Sequence, residues 1–292
     1  MKPGNESPVM ACEEVPTSVS GISAAGPREE ENPLPKGHAA APPLDRRRPE
    51  SGCARTATAT VDLPRELCAG LSKITRDEPL LHYAALAAAV SACLFRYTRS
   101  SPICIGAPAI NLPNHPAAPS RVAAVINQVD GQMAFRQLLL DVREILLGLE
   151  EYSYTPERIL AEPAITQNRC SIFDVALVIA GLHPPMPEVR HDITLIFNPN
   201  PGMESLQAVY SPDLYESETI GRFCRHVLRI LQSGLEDISQ PVGRLEMLTS
   251  EEKQILVTGW NETAFDYPKD RCVHELFEEH AAKSPDQTAL VC

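Results

Sequence analysis

The 292-residue chain has no C-x-x-C pair, no G-x-S-x-G elbow, no glycine-rich phosphate loop and no H-E-x-x-H. Those absences exclude the usual local signatures of zinc ribbons, serine hydrolases, nucleotide phosphate cradles and zinc proteases. Positive charge is the scarcer sign, 26 Lys and Arg against 38 Asp and Glu, for a net charge of -12. A surface built to neutralise phosphates is therefore not expected, which argues against nucleic acid and anionic membrane as partners. No apolar run reaches the roughly 20 residues that cross a bilayer. No apolar signal segment opens the sequence, so the sequons at Asn5 and Asn261 have no mechanism behind them. Nine cysteines, an odd number at irregular spacing, fit buried thiols in a reducing cytoplasm better than a disulfide framework, and no metal is expected.

What is present begins with a change of composition near residue 58. Residues 1–57, with "PREEENPLPKGHAAAPPLDRRRPESG", hold few large apolar side chains and cannot offset the entropy of ordering. They read as a disordered tail, with Arg46, Arg47 and Arg48 simply solvated. From Thr58 the pattern becomes periodic. Leu80 to Tyr97 is Ala-rich and apolar on every side, the mark of a helix buried over much of its circumference. Phe135, Leu138, Leu139, Val142, Leu146 and Leu149 form the stripe of a second helix. Ile220, Phe223, Val227, Ile230 and Leu231 form that of a third, entered through the turn Ser211-Pro212-Asp213. Between the last two lie three strand-like runs, from Ile172, Asp192 and Leu206. Helices flanking consecutive strands predict a layered α/β unit without internal repeats. A further helix from Val273 to Ala282 and a strand start at Thr288 are too little to bury a core of their own.

Candidate catalytic groups are few. His183 and His191 bracket a Pro-rich stretch that reads as a loop between strands, and His82 and His226 fall inside helices as core or boundary residues. No nucleophile has an evident base beside it.

The ordered pieces "LPRELCAGL", "LFRYT", "ICIGAPA", "VINQ", "YSYTPERIL", "NRCSIFDVALV" and "YSPDLYESETIGRFCRHVLRILQ" together resemble the C-terminal lobe of a nonribosomal peptide synthetase condensation domain, over residues 58–248. "LEMLTSEEKQILVTGWNET", residues 245–263, resembles the linker to an adenylation domain, which is placed at 249–272, and "CVHELFEEHAAKSPDQTALVC", residues 272–292, resembles the start of one, which is placed at 273–292. The resemblance implies half of a chloramphenicol acetyltransferase-like fold, helices layered on a mixed sheet. Its partners would be the adenylation domain of the same polypeptide and a carrier domain. Phosphopantetheine would sit on that carrier, ATP and Mg in the adenylation core, and no cofactor in this fragment.

The family's catalytic HHxxxDG belongs to the N-terminal lobe, and the sequence contains no two adjacent histidines. No catalytic residue is therefore assigned. Three positions match family motifs and are read as structural: Asn127 in "VINQ", Glu157 in "YTPER" and Arg169 in "NRCS". The departures around them are Glu151 where His is usual, Thr155-Pro156 in place of Pro-Phe, Ser171 in place of Pro, and "VDGQM" where a strand is usual. Trp260, the single tryptophan, reads as an anchor between lobe and adenylation domain. The expectation is a fragment of a synthetase initiation module whose partial condensation domain is a non-catalytic scaffold. The alternatives are half of a working condensation enzyme whose other lobe is removed or supplied in trans, and a docking module for a partner or carrier.

Overall fold

The computed structural model describes residues 40–50, 53, 55–108, 121–148, 153–155, 173–187, 189, 191–199, 204–266 and 268–288. The strands are β1 (Ala57–Asp62), β2 (Ile103–Pro108), β3 (Val122–Asn127), β4 (Ser153–Tyr154), β5 (Val175–Ile179), β6 (Ile193–Asn198) and β7 (Ser205–Tyr210). The helices are α1 (Arg65–Thr75), α2 (Pro79–Thr98), α3 (Phe135–Leu147), α4 (Ser217–Glu236), α5 (Ser250–Val257) and α6 (Val273–Lys283). All seven strands join one mixed sheet in the order β1-β7-β6-β5-β2-β3-β4, with β5 parallel to both of its neighbours and every other pairing antiparallel.

Helices α1 to α4 share one face of that sheet. Alternate strand residues, Ile103 and Ile105, Ala123 and Val125, Leu195 and Phe197, Leu206 and Ala208, meet Leu71, Leu86, Leu138 and Phe223 in a single large core. Helix α2 lies at its centre. Glu78 caps it by accepting from the N–H groups of Leu80 (3.3 Å) and Leu81 (2.8 Å), Pro79 pre-sets its first turn, and Arg99 ends it in the left-handed conformation at φ 56°. Every residue from Tyr83 to Leu94 is buried, and the alanines among them let sheet and helices approach closely. This helix is in fact long and apolar enough to cross a bilayer, contrary to the sequence expectation, but that apolarity is spent on the core.

The opposite face is divided. Under β2, β3 and β5, Cys104, Val122, Ala124, Ala176, Phe173 and Val189 form a smaller core. Gly106 is required there, because a Cβ would lie 2.3 Å from the Phe173 ring. Over β6, β7 and β1 the face carries Thr194, Ile196, Gln207, Val209, Thr58 and Thr60, all half-buried or exposed. Among the described residues this part of the face mixes threonines and Gln207 with Ile196 and Val209 and is not a broad apolar surface.

The expected helices and the three strands between the second and third of them are present within a few residues of their predicted ends, whereas Leu149, Ile172 and the strand expected beyond Thr288 lie outside the described residues. Residues 128–134 run from β3 into α3 with no strand between, as the shortened "VDGQM" predicts. The tail is the main correction. Residues 1–39 lie outside the described residues, but residues 40–48 fold onto the lobe. Asp45 caps α4 from a distance, accepting from the Glu216 N–H (2.8 Å) and the Thr219 hydroxyl (3.0 Å). Arg46 donates to the Pro212 carbonyl (2.8 Å) and pairs with Glu216, and Arg48 grips Asp192 with two hydrogen bonds of 2.9 and 2.6 Å. Two of the three tail arginines are thus anchors, not solvated charges. Composition missed this because the anchoring is by polar contacts to residues more than 140 positions away.

Residues 237–247 form a strap on the other side. Val242 and Leu245 are buried, the Val242 and Gly243 N–H groups donate to the Met133 and Gly131 carbonyls, and Arg96 donates to the Leu245 carbonyl at 2.9 Å.

Candidate functional site

Asn127, the last residue of β3, is fully buried and points into the helix layer. Its amide donates to the Ser91 hydroxyl of α2 at 2.7 Å, and its Oδ1 is buried with no hydrogen-bond partner. The amide is thus bonded to a helix side chain. An amide committed to α2 in this way cannot reach across the other face of the sheet. Glu157 and Arg169 lie outside the described residues, as do Glu151, Pro156 and Ser171.

Four histidines of the lobe, His82, His183, His191 and His226, are held in structural contacts. His183 stacks on Tyr83 at 4.7 Å between ring centres, and its Nδ1 accepts from the Ile179 N–H at 3.1 Å. Burial pulls its pKa down to about 4, so the ring is neutral at pH 7. His191 is bonded through both nitrogens, to the Val189 carbonyl (2.8 Å) and the Thr194 hydroxyl (2.6 Å), and burial lowers its pKa as well. His82 shares the Thr75 hydroxyl at 3.1 Å. Among the described residues no three His, Cys, Asp or Glu side chains are placed to hold a metal ion.

One polar network joins the lobe to the linker. The Tyr97 hydroxyl lies 2.7 Å from His226 Nδ1, and His226 Nε2 lies 3.1 Å from Glu252 of α5. The same carboxylate closes the capping box of α5, accepting from the Thr249 N–H (2.8 Å) while the Thr249 hydroxyl accepts from the Glu252 N–H (3.2 Å). The spacing of Thr249 and Glu252 is legible in the sequence as a capping box; the reach of Glu252 to His226 is not.

The linker beyond that point corrects another expectation. No residue of α5 is buried, and Ile255, Leu256, Val257, Trp260 and Phe265 are all exposed. Trp260, expected as an anchor, is 71% exposed, so it does not pack into the lobe. The physical reason is the way α5 leaves the strap: only its first turn meets the lobe, and the apolar residues follow after it. Helix α6, the predicted adenylation start, likewise buries none of its residues.

With this geometry in hand, the family follows. The condensation-domain model matches residues 29–257. The chain belongs to the condensation-domain family. It is 29% identical over 251 residues to tyrocidine synthase 2 of Brevibacillus parabrevis, covering 78% of this chain and 7% of that protein. It is 28% identical over 275 residues to bacitracin synthase 3 of Bacillus licheniformis, covering 85% and 4%. Among solved structures it superposes on the X-domain from teicoplanin biosynthesis with a TM-score of 0.59 at 18% identity, covering 74% of this chain and 55% of that one. A four-domain nonribosomal peptide synthetase bound to AMP and glycine gives a TM-score of 0.62 at 14% identity, covering 88% and 22%. This condensation-domain chain therefore spans a small part of the curated synthetases and about half of the X-domain chain. The structural likenesses establish the fold: a mixed sheet with one helical face, as expected for a condensation-domain lobe.

Proposed function

We propose that this chain is a non-catalytic condensation-domain lobe of a nonribosomal peptide synthetase, and that it carries and orients an adenylation domain joined through residues 249–272. The observation that carries the reading is the row of exposed apolar side chains on the linker, Ile255, Leu256, Val257, Trp260 and Phe265, next to a lobe that leaves them uncovered. Such a row on an otherwise polar surface is a docking surface awaiting a cover. The chemistry points the same way. Amide-bond formation needs a general base at the attacking amine, and the sequence has no HHxxxDG to supply one. His82, His183, His191 and His226 of the lobe are held in structural contacts. ATP and Mg then serve the adenylation core, phosphopantetheine serves a carrier domain, and the setting is the cytoplasm.

The test is made with the chain alone and with the chain extended through an adenylation domain. Donor-loaded and acceptor-loaded carrier proteins should give no peptide above background with either. Trp260→Ala together with Leu256→Ala should loosen the adenylation domain from the lobe, seen as independent melting of the two. Turnover that disappears when one His is replaced would restore the half-enzyme reading. Unchanged joint melting would remove the linker from the scaffold role.

A further inference from the structure

Helix α5 carries the apolar row but buries none of it, so its direction depends on what ties it to the lobe. Upstream, the strap is fixed: Val242 and Leu245 are buried, and Arg96 holds the Leu245 carbonyl at 2.9 Å. Downstream, two side-chain contacts reach back to the lobe. One is Lys253 to Glu246 at 3.4 Å, half-exposed on both sides and therefore weak. The other is Glu252 to His226 at 3.1 Å, and His226 is only 3% exposed.

The protons of this second contact can be placed. A carboxylate only accepts, so His226 Nε2 carries the hydrogen and donates it to Glu252. Nδ1 is then the acceptor for the Tyr97 hydroxyl at 2.7 Å. A neutral ring satisfies every partner, and burial holds the His226 pKa below the ordinary histidine value, in agreement with that tautomer. Tyr97 packs edge-on against Phe223, with ring centres 5.9 Å apart, which fixes the hydroxyl that orients the histidine. Lobe and linker thus meet through a donor whose position is set by the core.

We infer that Tyr97, His226 and Glu252 form a clasp that sets the direction of the linker helix α5, with a hinge at Leu248–Thr249 about which the helix swings as a unit when the clasp opens. The helix survives opening because its cap is local: the Thr249 hydroxyl and the Glu252 N–H belong to the same turn. The clasp is a property of this chain alone; its consequence, two orientations of an adenylation domain, rests on the function proposed above.

Trp260, the single tryptophan, sits in the 3-10 turn Gly259–Asn261 directly after α5 and reports the motion without a label. In the full chain, time-resolved fluorescence anisotropy of Trp260 should decay chiefly with overall tumbling. In the double variant Tyr97→Phe/His226→Leu, which removes both lobe partners and leaves no buried group orphaned between them, the amplitude of the fast component should at least double. Far-ultraviolet circular dichroism and the lobe's melting should stay close to those of the wild type. Glu252→Asp, a half-exposed change that keeps a carboxylate in the first turn but is one methylene shorter, should do the same and guards against failure of the double variant to fold. Wild-type anisotropy in a folded Glu252→Asp chain would overturn the clasp, and so would a wild-type Trp260 that already moves freely. Neither result touches the carrier-protein assay or the joint melting on which the proposed function depends.

Discussion

Gly234 and Gly70 offer the same substitution with opposite expected signs. Gly234, near the end of α4, is buried; a Cβ built on it would lie 2.5 Å from Phe135 Cδ1 and 2.8 Å from Cγ. Carbon atoms pack at about 3.5–4.0 Å, so the Phe135 ring would have to retreat by roughly 1 Å. It has no room to do so. Phe135 is fully buried, the clashing atoms are at the root of its ring, and its own N–H is held by the Gln240 carbonyl at 3.0 Å. Overpacking of this kind costs about 1–3 kcal/mol, against a gain of about 0.5–1 kcal/mol from replacing glycine in a helix. The net is a loss of about 1–2 kcal/mol. For a domain of this size that lowers the melting temperature by roughly 2–8 °C. Gly70, in α1, has nothing within 4 Å of the added Cβ, so Gly70→Ala should stabilise by about 0.5–1 kcal/mol. Urea denaturation of the two variants and of Gly234→Ala/Phe135→Leu, which restores room, decides the matter. A Gly234→Ala chain as stable as the wild type, with no gain in the double variant, would refute the close approach of Gly234 to Phe135.

Three further outcomes follow from other parts of the fold. Arg48→Ala leaves the largely buried Asp192 without its two hydrogen bonds and should cost about 2–4 kcal/mol by chemical denaturation; a change within about 0.5 kcal/mol would mean that residues 40–48 do not hold the lobe. His183, with a folded pKa of about 4 against the ordinary 6.5, is neutral in the fold and charged in the unfolded chain below pH 6.5. Its contribution is therefore whole above that value and lost as the pH falls toward 4, by about 1–2 kcal/mol at pH 5, and His183→Phe should flatten that part of the stability profile. Trp260→Ala in the chain without an adenylation domain should leave its melting unchanged within about 0.5 kcal/mol, and its emission should be that of a solvated indole; a blue-shifted spectrum would show that the linker packs on the lobe after all.

The elements readable in advance were those whose signal is local. The stripe through Phe135, Leu138, Val142 and Leu146 and the alternation of Leu206, Ala208 and Tyr210 state which face is buried whatever lies opposite. Misjudged features depend on distant partners. Residues 40–48 look disordered because their own composition holds few large apolar side chains, yet Ala40 joins the core and polar contacts hold the segment to Asp192, Pro212 and the open N-terminus of α4. Trp260 looks like an anchor because a lone tryptophan in a linker needs a surface, and the sequence cannot say on which side that surface lies.

The sequence by itself determined the layered α/β class, the run of helices and strands and the lack of an HHxxxDG pair, because each is written in periodicity or in residue identity within a few positions. The order of the seven strands, the turn of Asn127 toward Ser91, and the meeting of Tyr97, His226 and Glu252 were decided only by tertiary structure. Tyr97 and His226 are 129 positions apart. A hydrogen bond has directional requirements of a few tenths of an ångström, and only the packing of α2 against α4, fixed by the shared core, brings two such groups to that distance.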